Sequence, residues 1–353
     1  MTPRAGALLE YRTTPFSHWR ITPPTGRGHS EVILVHGLGE HAGRMMPLAR
    51  KLSELGYRCR VPDLPGHGGH GEDSHHGVIE AYLQGDEAAD VVDRIQGMPE
   101  ALQQEAKKIA AQMHQRLFGT SFEQIIDRVE KLALWSAIDG NESGVPHYIW
   151  GHSLGGLASF HAASRIDRDP AGAPAGLVLG SPAFAPPVAE QDLMARLLTS
   201  QAYFFSSMTL LRPIAALQRL LLRGLGIDGD GEFANEAVSD LPAERLLHSI
   251  DPLQNHQIPL CFAGRLLPWM AKARSSARTL RTPVFVFAPG YDPIVDPSGV
   301  RAVTACLQKS FDPRRPHLLD IHEQMRVHDL ARSSCGDSIV TRVHQWLQGE
   351  LGS

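Results

Sequence analysis

Cysteine is scarce in this chain: four in 353 residues, at 59, 261, 306 and 335. The four are too far apart for a zinc site, which draws on closely spaced pairs, so no metal is expected there. Such sparse use points to reduced thiols and a cytoplasmic setting. An excess of positive charge is lacking too. Lys and Arg number 34 against 38 Asp and Glu, a net charge of −4 with His neutral. Nucleic-acid binders carry a basic face, so no nucleic acid is expected as a partner. Long apolar runs are also missing. The N-terminal MTPRAGALLEYRTTPF has neither the apolar stretch nor the small-residue cleavage site of a targeting segment. The most apolar region, Met208 to Leu225, is interrupted by Arg212, Pro213, Gln218, Arg219 and Arg223. It cannot cross a bilayer unaided.

What is present suits a globular α/β protein. Hydrophobic residues make up 42% and charged ones 20%, and the length is ample for a large core. Short apolar runs alternate with helical patterns. Glu31–Val35, Tyr57–Val61, His147–Trp150, Leu177–Leu179, Pro283–Phe287 and His317–Ile321 read as strands. Parallel strands covered on both faces are continuously apolar in this way. Pro47–Leu55, Ala81–Ile95, Leu157–Ile166 and Ser334–Gln348 read as helices. That alternation implies βαβ units: a mostly parallel sheet with helices on both faces, the α/β class.

Two stretches break the alternation. Residues 97–144 read as a helical insertion within the first part of the core, residues 1–185. Residues 186–265 are long, helical and Leu-rich, and a compact domain does not hold a structureless connection of that length. They read as a helical lid over the strand ends, where open α/β sheets bind ligands. Residues 266–353 then complete the core.

The sharpest signal is Gly151-His152-Ser153-Leu154-Gly155. It is G-x-S-x-G between an expected strand and an expected helix, the context of a nucleophile elbow. The turn is tight enough to strain the serine backbone, and the two glycines remove side chains that would collide with neighbouring backbone. The alternative is an ordinary Gly-rich turn with a solvated serine.

A serine hydroxyl needs a base, and the base needs an orienting acid. In this motif's setting the chain order is Ser, acid, His. Among the late histidines, His317 opens a strand and His344 lies in the last helix, while His322 sits flush on a strand end. His328 follows a loop long enough to carry an imidazole to the elbow, and it is the expected base. The loop after Phe287 offers two carboxylates. Asp296 precedes Pro297 and has a ready role as a helix N-cap. Asp292 has no such local role and is the expected acid. The oxyanion formed on attack needs preplaced donors. These are expected to be the backbone N–H groups of Leu154 and Leu38.

His36-Gly37-Leu38-Gly39-Glu40-His41-Ala42-Gly43-Arg44 resembles the HGxGEHxGR segment of monoacylglycerol lipases and bacterial lysophospholipase-like hydrolases, the serine aminopeptidase S33 type of α/β-hydrolase. Asp63-Leu64-Pro65-Gly66-His67-Gly68 and Gly151 to Gly156 resemble the D-x-x-G-H-G loop and GHSxGG elbow of the same family. Ser181-Pro182-Ala183, Asp292 to Asp296 and His328-Asp329-Leu330 follow in the family's order. The resemblance implies an α/β-hydrolase fold, with Ser153, Asp292 and His328 as a triad, Leu38 and Leu154 as amide donors, and no cofactor. The substrate it implies is a small acyl ester of the monoacylglycerol or lysophospholipid kind, cleaved through an acyl-enzyme. Two features depart from the pattern: the insertion at 97–144, and Met45 where many members have Tyr.

Other readings stay open at this point. An aminopeptidase or an acyltransferase could use the same three groups, and the peptidase would need acids such as Glu40, Glu72 or Asp73 to hold a substrate amine. A non-catalytic small-molecule receptor on the same scaffold is a third class. His67, His70, His75 and His76 could be read as metal ligands, or as a structural loop histidine in a polar turn. Apolar residues at helical spacing from Phe204 to Leu225 suit core packing, an acyl pocket or a transient lipid-surface contact. The pattern sets no oligomeric state.

Overall fold

A computed structural model of the chain describes residues 8–13, 17–24, 28, 30–69, 73–85, 87–141, 145–167, 172–186, 235–256 and 258–351. Among them, eight strands form one sheet in the order β1-β2-β4-β3-β5-β6-β7-β8. The strands are β1 Leu8–Arg12, β2 His18–Thr22, β3 Ser30–Val35, β4 Tyr57–Pro62, β5 His147–His152, β6 Gly176–Gly180, β7 Val284–Pro289 and β8 Leu318–His322. The pairs β1/β2 and β2/β4 are antiparallel and the remaining pairs are parallel.

Period-two alternation along these strands feeds two cores. Val32 and Leu34 of β3 and Tyr148 and Trp150 of β5 face one side. Ile33, Val35 and Ile149 face the other. Both faces are buried, which is why the strands read as unbroken apolar runs. Helix α1 (Met46–Glu54), α3 (Ala88–Gln96) and the last helix, Gly336–Gln348, cover the first face. Helix α5 (Phe122–Asn141), α6 (Leu154–Ile166) and Leu260–Ala277 cover the second.

Several elements differ from expectation. β1 and β2 were not anticipated; Trp19 and Ile21 alternate inward, but five-residue strands flanked by polar residues carry a weak signal. The helix expected over 81–95 is two, α2 (Asp73–Gln84) and α3. They divide at Gly85, and α3 opens on a capping box between Glu87 and Asp90. Residues 97–144 hold α4 (Glu100–Gly119) and α5. α5 packs on α6, β3 and β5, so this stretch supplies one of the helices that cover the sheet. The division expected at 265/266 falls within the continuous helix Leu260–Ala277. Of the stretch expected as a lid, residues 187–234 lie outside the described residues, and so does the apolar pattern from Phe204 to Leu225. No described helix is long and apolar enough to cross a membrane.

β3 lies at the point where the chain order reverses. The chain runs from β3 to β4 on one side, then returns to place β5 on the other. The register pairs Val35 with Gly151, so the loops after β3 and β5 leave the sheet side by side. Such a reversal opens a crevice at the carboxyl ends of the strands.

Candidate active site

The turn from β5 into α6 forces a non-glycine residue to positive φ. Ser153 has φ 52 and ψ −116, in the left-handed half of the map that non-glycine residues rarely enter. A conformation of this kind costs on the order of 1–3 kcal/mol and persists only where the surroundings enforce it. Here they do. The Ser153 N–H donates to Gly180 O at 2.9 Å, and Ser153 O accepts from Leu157 N at 3.0 Å and from Ala183 N at 3.1 Å. A Cβ on Gly155 would stand 2.4 Å from both Val35 O and His36 O. A glycine there lets α6 start directly against the end of β3. Ser153 is left 8% exposed.

The loops after β7 and β8 bring two more expected residues together. His328 Nδ1 lies 2.7 Å from Asp292 Oδ2, with both side chains buried. Asp292 Oδ1 accepts the amides of Ile294 at 2.8 Å and Val295 at 3.1 Å, which fixes the carboxylate. His328 Nε2 is buried and has no hydrogen-bond partner among the described residues. The His328 ring centroid is 4.9 Å from that of His152, the residue before Ser153. Burial opposes a charged imidazole at His328, but Asp292, with Asp329 and Glu40 adding, outweighs it and raises the pKa above the usual value.

The backbone of His328 is also held. Its N–H donates to Ala237 O at 2.8 Å, and its carbonyl accepts from Ser181 Oγ at 2.6 Å. Ser181 itself has φ 42 and donates its N–H to Phe287 O at 2.9 Å. Strands β6 and β7 and the segment after residue 234 thus converge on one histidine.

The competing candidates have other roles. Asp296 caps the helix Pro297–Thr304, accepting from Ser298 N at 2.8 Å. His317 Nδ1 accepts from Val284 N, His344 Nδ1 meets the Tyr57 hydroxyl, and His322 faces Asp320 at 3.5 Å. His36 accepts the Leu64 amide at Nε2, so Nδ1 carries the proton and donates to Gly37 O at 2.8 Å. Among the clustered histidines, His75 pairs with Asp63 at 3.0 Å, His76 rests on Trp19, and His67 donates to Pro65 O. Burial lowers His67 to about 3. His70 and Glu72 lie outside the described residues, and nothing is described of the Asp73 side chain.

Between the β3 loop and the elbow lies a buried ionic network, of which the sequence reading gave a role only to Glu40, as an acid for a substrate amine. Glu40 Oε2 accepts the Gly37 N–H at 2.8 Å, and Oε1 accepts from Arg332. Arg332 also grips Asp329, and Arg44 approaches Glu40 at 3.7 Å and Glu244 at 3.5 Å. His152 Nε2 lies 3.6 Å from Asp329. Burial alone would raise the Glu40 pKa, but Arg332, His152 and Arg44 outweigh it and hold the carboxyl well below its ordinary range. Glu40, His41 and Arg44 lie within the quoted motif, which was the available signal. Arg332 carried none.

With the Gly37 amide taken by Glu40, the next amide, that of Leu38, has no acceptor among the described residues, and neither does that of Leu154 at the head of α6. Beside His152 and Asp329 a cavity of about 450 Å³ opens, walled by Trp150, Leu247 and Phe287 with Arg44 and Glu244.

The family model described as serine aminopeptidase, S33, matches residues 27–106 and 110–315. The chain belongs to that family. It has the α/β-hydrolase fold. Among solved structures, the monoacylglycerol lipase of Paleococcus ferrophilus is similar at 19% identity, covering 97% of this chain and 99% of its own, with a TM-score of 0.63. A soluble variant of the Saccharomyces cerevisiae monoglyceride lipase, in complex with a substrate analog, is 16% identical over 99% and 97%, with a TM-score of 0.66. A thermostable carboxyl esterase of Bacillus coagulans, in complex with glycerol, is 16% identical over 98% of each chain, with a TM-score of 0.53. Curated proteins gave no match.

Proposed function

We propose that this member of the family is a serine hydrolase of carboxylic esters that works through an acyl-enzyme. The observation that carries the reading is the buried His328–Asp292 pair, with Nε2 unengaged among the described residues, next to an elbow that holds Ser153 at positive φ. Ser153 Oγ attacks the ester carbonyl and His328 Nε2 takes its proton. Asp292 holds the ring with Nδ1 protonated and stabilises the imidazolium. The Leu38 and Leu154 amides meet the oxyanion. His328 then protonates the leaving alcohol, and water releases the acid by the same steps reversed.

The substrate class is a small acyl ester of the monoacylglycerol or lysophospholipid kind. The quoted motifs support it. The structural relatives, at 16–19% identity, support the fold on which that chemistry would be built. The aminopeptidase reading is less favoured. Glu40, the described acid suggested for holding a substrate amine, already faces Arg332 and Arg44 and spends Oε2 on Gly37. The cavity beside His152 carries two arginines, two glutamates, Lys51, Asp329 and Asp337 among its apolar walls and is not bordered by Ser153, Asp292 or His328, so it does not bear on the substrate.

The test is labelling with a fluorophosphonate probe, followed by hydrolysis of p-nitrophenyl esters of rising chain length beside an aminoacyl-anilide. The expected result is one adduct, on Ser153, with ester turnover far above anilide turnover. An adduct on another serine, or preferred cleavage of the anilide, overturns the reading.

A further inference from the structure

The loop that carries the Leu38 amide is fastened to a segment more than two hundred residues away. His41 Nε2 lies 2.8 Å from Asp251 Oδ2, with both side chains fully buried. His41 Nδ1 accepts the Gly43 N–H at 3.1 Å, so the proton is on Nε2 and is donated to Asp251. Tyr82 donates its hydroxyl to the same carboxylate oxygen and accepts from Arg44 at 3.1 Å. The other oxygen, Oδ1, takes the Leu253 amide at 2.9 Å. Two residues further on, Asn255 donates its N–H to Gly39 O at 2.9 Å. Gly39 has φ 77, and a Cβ there would stand 2.3 Å from Asn255 O. Leu38 therefore lies between a Gly37 held by Glu40 and a Gly39 held by Asn255, with His41 anchored just beyond. Asp251 and Asn255 follow directly on the helix Pro242–Ile250.

We infer that Asp251 is a positioning residue for the oxyanion donor: acting through His41, it sets where the Leu38 amide points. The argument rests on the proposed chemistry at Ser153. Among the described residues the Leu38 amide has no hydrogen bond of its own to hold its direction, so its aim depends on the fastening of its neighbours. Donors of this kind act only when they stand at hydrogen-bond distance from the oxyanion, so a small tilt of the loop weakens the transition state far more than the ground state. Among the described residues Asp251 bonds to His41, Tyr82 and Leu253, not to Ser153.

The test uses the full chain and three readouts. Asp251→Asn and His41→Phe should each lower kcat about 10- to 100-fold, less than the loss expected on deleting a donor outright. KM should stay within about two-fold, as for an interaction made only in the transition state. Affinity for a trifluoromethyl ketone, which forms an oxyanion on Ser153, should fall by the same factor as kcat. His41→Gln keeps an N–H donor towards Asp251 and should recover most of the loss. If Asp251→Asn fails to fold, the two His41 variants give the same reading. Unchanged kcat, a matching rise in KM, or ketone affinity that does not follow kcat overturns the inference. Ser153→Ala separates this from the proposed function. If that variant keeps its esterase activity, the reading of the site has failed whatever Asp251 does. If it is inactive while Asp251→Asn keeps full kcat, only the positioning role has failed.

Discussion

Asp292 holds His328 with one carboxylate oxygen and its own loop with the other. Oδ2 meets Nδ1 at 2.7 Å while Oδ1 accepts two backbone amides. An asparagine can keep the loop contacts through its oxygen and then turns an NH₂ towards Nδ1. The proton moves to Nε2, the atom that accepts from Ser153 in the proposed mechanism. Asp292→Asn is therefore expected to lower kcat by about 10⁴-fold with little change in folding, as the wrong tautomer does in other Ser-His-Asp sites. Steady-state kinetics beside a thermal melt decides it. A loss below about ten-fold would place the acid elsewhere.

The same pair predicts the pH profile. Asp292 and its neighbours raise the His328 pKa above 6.5 despite burial. In the proposed mechanism His328 works as neutral imidazole, so activity should fall as pH drops through that raised value. The acid limb of kcat/KM for a p-nitrophenyl ester should have its midpoint above 6.5, and residual activity in Asp292→Asn should show it at lower pH. A wild-type midpoint below 6 would contradict the coupling.

The sequence made the elbow legible because its chemistry is local: a strand, a tight turn and a helix within twenty residues, with glycines where backbone must approach backbone. Asp292 could be told from Asp296 because an N-cap before proline has a recognisable role, and Asp296 does accept from Ser298. The central strands were legible because both faces are buried. Other features depend on contacts distant in sequence. Glu40 meets Arg332, His41 meets Asp251 and Ser181 meets the His328 carbonyl, and no local pattern announces any of these. The break at Gly85 was missed because the apolar positions on either side continue a helical period across it.

Glu40 joins the β3 loop to Arg332, and its removal should reveal the energetics of the buried network. Glu40→Gln keeps an acceptor for Gly37 but leaves Arg332 and Arg44 with less compensating charge. Breaking a buried ion pair on one side costs about 3–5 kcal/mol. A loss in that range is expected from urea unfolding. Replacing both partners, Glu40→Gln with Arg332→Met, should cost less than the sum of the two single losses, because the Glu40–Arg332 pair is lost only once, although Asp329 then also lacks its arginine. Strict additivity of the two single losses would show that the pair is not coupled.

Asp63 should make the protein acid-sensitive. Its carboxylate accepts the Ala42 amide at 2.7 Å through Oδ1 and meets His75 at 3.0 Å through Oδ2, joining the loop after β4 to the turn that follows His41. Burial would raise its pKa, but His75, His36 and the Ala42 amide outweigh that and hold it far below the ordinary carboxylate value. The unfolded chain then binds this proton more readily than the folded one. The stabilisation is complete above the unfolded pKa of about 4 and is lost as pH falls towards the folded value, by up to about 1.4 kcal/mol per pH unit. Asp63→Asn lacks this proton linkage. It should be less stable than wild type at pH 7, and the two stability curves should converge as pH drops from about 5 to 3. Urea unfolding at half-unit pH steps measures both. Curves that stay parallel over that range would mean the Asp63 carboxylate titrates alike in the folded and unfolded chains.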